Sequence, residues 1–183
     1  MTGIESNWNE VKQRLEFAAQ KTSRSLQDIA VVAVTKNVEV DRIKKLNELG
    51  LKMLGENRVQ EMLDKMPQLS EDIQWHMIGH LQRNKVKYIV GKVCLIHSLD
   101  RWSLALEIQR QAEKKDTIVS VLVQVNLHGE DTKHGLSRIE IFDFISEISK
   151  LKRIEVKGLM TMAPYVHNPE EVRPVFREVF HLA

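Results

Sequence analysis

Ile29-Ala30-Val31-Val32-Ala33-Val34-Thr35-Lys36 is a short, β-branched, almost wholly apolar run that ends on a charge. Its length and composition predict a buried strand. Period-two alternation puts Val32, Val34 and Lys36 on one face. An ammonium on the core-facing side of such a strand is costly, so the Lys36 pKa is expected to fall. A partly neutral amine at the carboxyl end of a strand suits Schiff-base chemistry with a carbonyl compound. The alternative is a lysine that ends the strand and snorkels into solvent.

Working outward, helical and strand patterns alternate. Trp8, Val11, Leu15 and Ala18 predict a helix over residues 5–21, ahead of the first strand. Val40, Ile43, Leu46 and Leu49 form a helical stripe that stops at Gly50. Strands are then expected at 51–54, 73–78, 93–97, 118–126 and 154–162. The helices after them are expected at 57–65, 82–90, 100–114, 137–151 and 168–183. That makes six βα units of about thirty residues, an order that implies a parallel sheet with helices outside. Two closures compete: an open doubly wound sheet and a (β/α)8 barrel, which needs eight units and roughly 250 residues. No Gly-x-Gly-x-x-Gly follows any strand, which weakens a dinucleotide-binding version.

Bulk properties exclude several classes. The 183 residues are 43% hydrophobic and 28% charged, ordinary for one globular domain spanning 1–183. The 27 basic and 25 acidic residues are mixed along the chain, with no basic tail to suggest nucleic acid or an acidic membrane. No apolar run approaches membrane-spanning length and the start lacks a secretory pattern, so a cytoplasmic protein is expected. The single cysteine, Cys94, excludes an internal disulfide and reads as a small core residue.

In parallel α/β folds the active site gathers at the carboxyl ends of the strands. Here those ends carry Lys36, Gly55-Glu56-Asn57, His76 with Gly79-His80, His97-Ser98-Leu99-Asp100, Gln124-Val125-Asn126 and Met160-Thr161-Met162. Six polar or small strand ends on one rim suggest a binding pocket. His76 and His80 are four apart on extended chain, about 13 Å, too far to share a metal. Ser98 reads equally as a cap for the next helix or as a ligand contact. Residues 129–135 read as a mobile loop over the rim.

Ala33-Val34-Thr35-Lys36, Gly55-Glu56-Asn57-Arg58-Val59-Gln60-Glu61, Trp75-His76-Met77-Ile78-Gly79-His80-Leu81-Gln82-Arg83-Asn84-Lys85, His97-Ser98-Leu99-Asp100, Gln124-Val125-Asn126 and Gly158-Leu159-Met160 occur in this order. Over essentially the whole chain they resemble the pyridoxal-5′-phosphate (PLP) homeostasis family, the YggS/PROSC-like proteins. The resemblance implies a TIM-type barrel similar to the N-terminal domain of alanine racemase, here covering about six of eight βα units. It implies PLP as cofactor, held as an aldimine on Lys36, with Asn57 beside the ring. His76, Ser98, Asn126 and Met160 fall on family positions that line the pocket, and Lys133 matches a loop lysine. The chain departs from the family at His80, where proline is usual. It also lacks the family's last two units, which hold the PLP phosphate.

The expected function is PLP binding in intracellular vitamin B6 homeostasis, without a metal and without a catalytic residue. Expected partners are PLP and PLP-dependent apo-enzymes, with a monomer favoured and no nucleic acid or membrane. Competing readings are a PLP-dependent racemase, a Lys36 Schiff-base aldolase, and a truncated chain without cofactor. A racemase needs an acid/base group on each face of the cofactor, and the tyrosines are only Tyr88 and Tyr165.

Overall fold

A computed structural model describes residues 3–127 and 134–183. Six strands form one sheet in chain order: β1 (Ala33–Val34), β2 (Met53–Glu56), β3 (Gln74–Met77), β4 (Leu95–Leu99), β5 (Val119–Gln124) and β6 (Ile154–Met160). Every neighbouring pair is parallel. Helix α1 (Gly3–Gln20) precedes the sheet. The crossovers carry α2 (Val40–Glu48), α3 (Val59–Lys65), α4 (Val86–Ile89), α5 (Trp102–Lys114) and α6 (Glu140–Ile148), and α7 (Arg173–Leu182) follows β6. This is the expected barrel architecture at six βα units. Among the described residues β1 and β6 each pair with one strand, so the sheet is an open arc.

The main core lies between the sheet and its helices. Along β5, Val119, Val121 and Val123 are buried, while Ser120, Leu122 and Gln124 are half-buried on the other face. Val119 and Val121 share one cluster with Ala105, Ile108 and Ala112 of α5 and Ile148 of α6. Each fully buried aliphatic side chain contributes about 1.5–3 kcal/mol. The opposite face is the concave side of the arc and lines the site.

Element boundaries differ from expectation where a cap consumes the first residues of a strand. β2 starts at Met53 rather than 51, because Gly50 takes φ +89° and the Leu51 N–H closes α2 on the Leu46 carbonyl at 3.1 Å. β4 starts at Leu95 rather than 93, since the Lys92 and Val93 N–H groups both bond back to Ile89. β1 keeps two ladder residues of the eight expected, and it is an edge strand. A 3-10 turn, Pro169–Val172, replaces the first turn of the last helix, its Glu170 N–H capped by the Asn168 side chain.

Cys94 is a correction: it is exposed, not core, with its thiol directed to the Trp75 carbonyl at 3.1 Å. Among the described residues no helix is long and apolar enough to cross a membrane.

Candidate functional site: a cavity at the carboxyl rim

The concave face opens into a cavity of about 640 Å³ at the carboxyl ends of the strands. Val32, Val34 and Lys36 line one wall, in agreement with the period-two reading of the first run. Asn57 enters after β2, Ile78, Gly79 and His80 after β3, and His97 from within β4. Gln124, Val125 and Asn126 enter from β5, Met160, Thr161 and Met162 from the end of β6, with His134 at the margin.

Lys36 is exposed where burial was expected. It faces the concave side as predicted, but that side is open to solvent: even Val34, two residues deeper, is 52% exposed. Of the other expected residues, Asn57, Asn126 and Met160 line the cavity. His76 and Ser98 do not. Ser98 is fully buried on the helix-facing side of β4, where its hydroxyl donates to the Gly79 carbonyl at 2.7 Å. It is neither a cap nor a pocket residue, since α5 is capped at Arg101; it ties β4 to the turn after β3. His76 shares strand parity with Ile78 but sits one layer deeper, buried. Lys133 and most of the 129–135 loop lie outside the described residues.

His97, one of the polar strand-end residues, lines the cavity in place of its neighbour Ser98. Along β4, Ile96 and Ser98 are buried while Leu95 and His97 are half-buried, so parity selects His97 for the cavity and Ser98 against it. His97 Nε2 lies 2.8 Å from His76 Nδ1, the rings edge-on at 67°. His76 Nε2 is buried without a partner among the described residues. A bare lone pair there costs less than a bare N–H, which favours a proton on His76 Nδ1, donated to His97 Nε2. His97 then carries its own proton on Nδ1. Burial, reinforced by the neighbouring His76, pushes the His97 pKa down to about 4, and burial alone lowers His76. The pair is therefore neutral at physiological pH.

At the margin, His80 and His134 stack at 4.0 Å between centroids. Burial lowers the His80 pKa, with His134 and Arg101 acting in the same direction against Asp100. One ligand atom each from His80, Asp100 and His134 lies within 4.8 Å of the others. The two ring planes are only 25° apart, so their in-plane lone pairs run side by side and do not converge on one ion. Asp100 is also paired with Arg101.

The model for "Alanine racemase, N-terminal domain" matches residues 4–182. A pyridoxal phosphate homeostasis protein from Aquifex aeolicus is 43% identical over 173 residues, covering 94% of this chain and 76% of the relative. The chain belongs to the PLP homeostasis protein family. Its Escherichia coli member is 30% identical, over 88% of this chain and 71% of the relative. Among solved structures, PipY of Synechococcus elongatus with PLP bound superposes at TM-score 0.80 and 29% identity, over 92% of this chain and 79% of that one. A protein from Bifidobacterium adolescentis reaches TM-score 0.89 at 30% identity, over 97% and 76%. An alanine racemase of Clostridium difficile, at 19% identity and TM-score 0.71, shares the fold, covering 90% of this chain and 41% of that one.

Proposed function

We propose that this chain binds PLP reversibly in the cytoplasm, with Lys36 as the attachment point, and hands it on to apo-enzymes. One observation carries the reading: a lysine projects into a cavity of about 640 Å³ at the rim of an alanine-racemase-type sheet. The volume is in the usual range for a small-molecule site. The lining suits the cofactor's ring. Val32, Val34, Ile78 and Met160 offer apolar surface to a ring, and Asn57, Gln124 and Asn126 offer amides to its polar edge. PLP supplies an aldehyde with which a lysine amine condenses, losing water. The chain's own contribution is to present the Lys36 amine and hold the ring.

A carrier role is favoured over a racemase. Tyr88 lies in the external helix α4, and Tyr165 is 98% exposed beyond β6; neither lines the cavity. His97, paired with His76 and neutral, is poorly suited to donate a full proton. Titration with PLP, followed by visible absorbance and then by dialysis, tests the proposal. Saturable uptake, release on dialysis and no amino-acid turnover near ~1 s⁻¹ are expected. Steady turnover of an L-amino acid would assign an enzyme instead.

A further inference from the structure

The cavity does not use Lys65, a second and largely buried lysine. It closes α3, and its ammonium donates three hydrogen bonds: to the Thr35 carbonyl at 2.7 Å, Glu56 Oε1 at 2.8 Å and Glu61 Oε1 at 2.6 Å. Glu56, fully buried at the end of β2, also accepts from the Thr35 hydroxyl at 2.7 Å. Glu61 also accepts the Asn37 backbone N–H at 2.6 Å. Thr35 and Asn37 are the chain neighbours of Lys36. The carbonyl before Lys36 is thus held by Lys65, and the N–H after it by Glu61.

The sheet alone does not hold this segment. β1 pairs with β2 at Ala33 and Val34, and the ladder's last bond runs from the Thr35 N–H to the Gly55 carbonyl at 3.0 Å. Beyond it the chain turns through Asn37, at φ +57°, and the Val38 N–H returns to the Thr35 carbonyl. We infer that Lys65, Glu56 and Glu61 form a positioning clamp that fixes the backbone on both sides of Lys36 and aims its amine into the cavity. This rests on the PLP reading above and adds residues that never touch the ligand. Lys65 is no rival attachment point. Burial works against its charge, but the bonds to Glu56 and Glu61 outweigh that and raise its pKa.

Glu61 is the residue to test, because removing it leaves the buried Glu56–Lys65 pair in place. In Glu61→Ala, apparent PLP affinity is expected to weaken about tenfold, the scale of one lost charge-assisted hydrogen bond. Amide exchange at Asn37 should accelerate while the thermal midpoint stays close to that of the unchanged chain. Glu61→Gln, whose amide oxygen can still accept the Asn37 N–H, should recover most of the affinity. A folded Glu61→Ala protein that takes up PLP with undiminished affinity overturns the clamp while leaving the PLP reading intact. So does a loss of affinity no larger than its unfolded fraction. If the unchanged chain takes up no PLP, the functional reading itself fails and the clamp falls with it.

Discussion

Gly79 shows how one residue can shape the cavity. A Cβ placed there would lie 2.6 Å from the Asn57 Cα and closer still to its carbonyl, so only glycine lets the two loops meet. Gly79→Ala should destabilise by about 1–3 kcal/mol and push Asn57 out of line, read by thermal melts and PLP titration. The His76–His97 pair sets a pH dependence. The His97 pKa falls from 6.5 to about 4 on folding, so between those values the unfolded chain binds more protons. Stability should be complete above pH 6.5 and decline as pH falls toward 4, by on the order of 2 kcal/mol after allowing for partial solvation. Urea unfolding at both ends of that window checks it, and His97→Gln should flatten the slope. Residue-level legibility was uneven. Lys36, Asn57, Asn126 and Met160 could be found from strand ends and motif resemblance. Ser98 follows from the motif resemblance alone, whereas the alternation along β4 puts His97, not Ser98, on the cavity side.

Among the elements, α3 has the strongest demand placed on it. It must deliver Lys65 to a carboxylate that is fully buried and, among the described residues, has one oxygen without a partner. Lys65→Met would strand that charge, at a cost of about 3–5 kcal/mol. The double change Lys65→Met with Glu56→Gln should cost less than Lys65→Met alone, because the stranded charge is gone. Chemical denaturation of both variants measures the difference, and equal costs would show that the buried pair is not coupled. The order of elements was legible because strand-like runs alternate with helical segments, such as the stripe from Val40 to Leu49 that stops at Gly50. Their ends were not, because Leu51, Lys92 and Val93 are spent closing the helices before them. Nor could the eight-residue apolar run reveal that only two of its residues enter a ladder.

The described residues form a six-stranded parallel arc whose concave face holds the site, and among them each outer strand is paired on one side. Phe142 of α6 and Phe176 and Phe180 of α7 are exposed on the helices that flank β6. Open parallel edges beside exposed aromatics favour association. The 183-residue chain on its own should therefore gain apparent mass in light scattering as concentration rises through the micromolar range, where such surfaces aggregate. A constant monomer mass would mean the edges are shielded. PLP attachment is proposed at one atom, Nζ of Lys36, and peptide mapping after borohydride treatment of the PLP-loaded protein checks it. The cofactor's mass is expected on the peptide carrying Lys36 and should be lost in Lys36→Ala. The same mass on Lys65 or another lysine, or label persisting unchanged in Lys36→Ala, would contradict it.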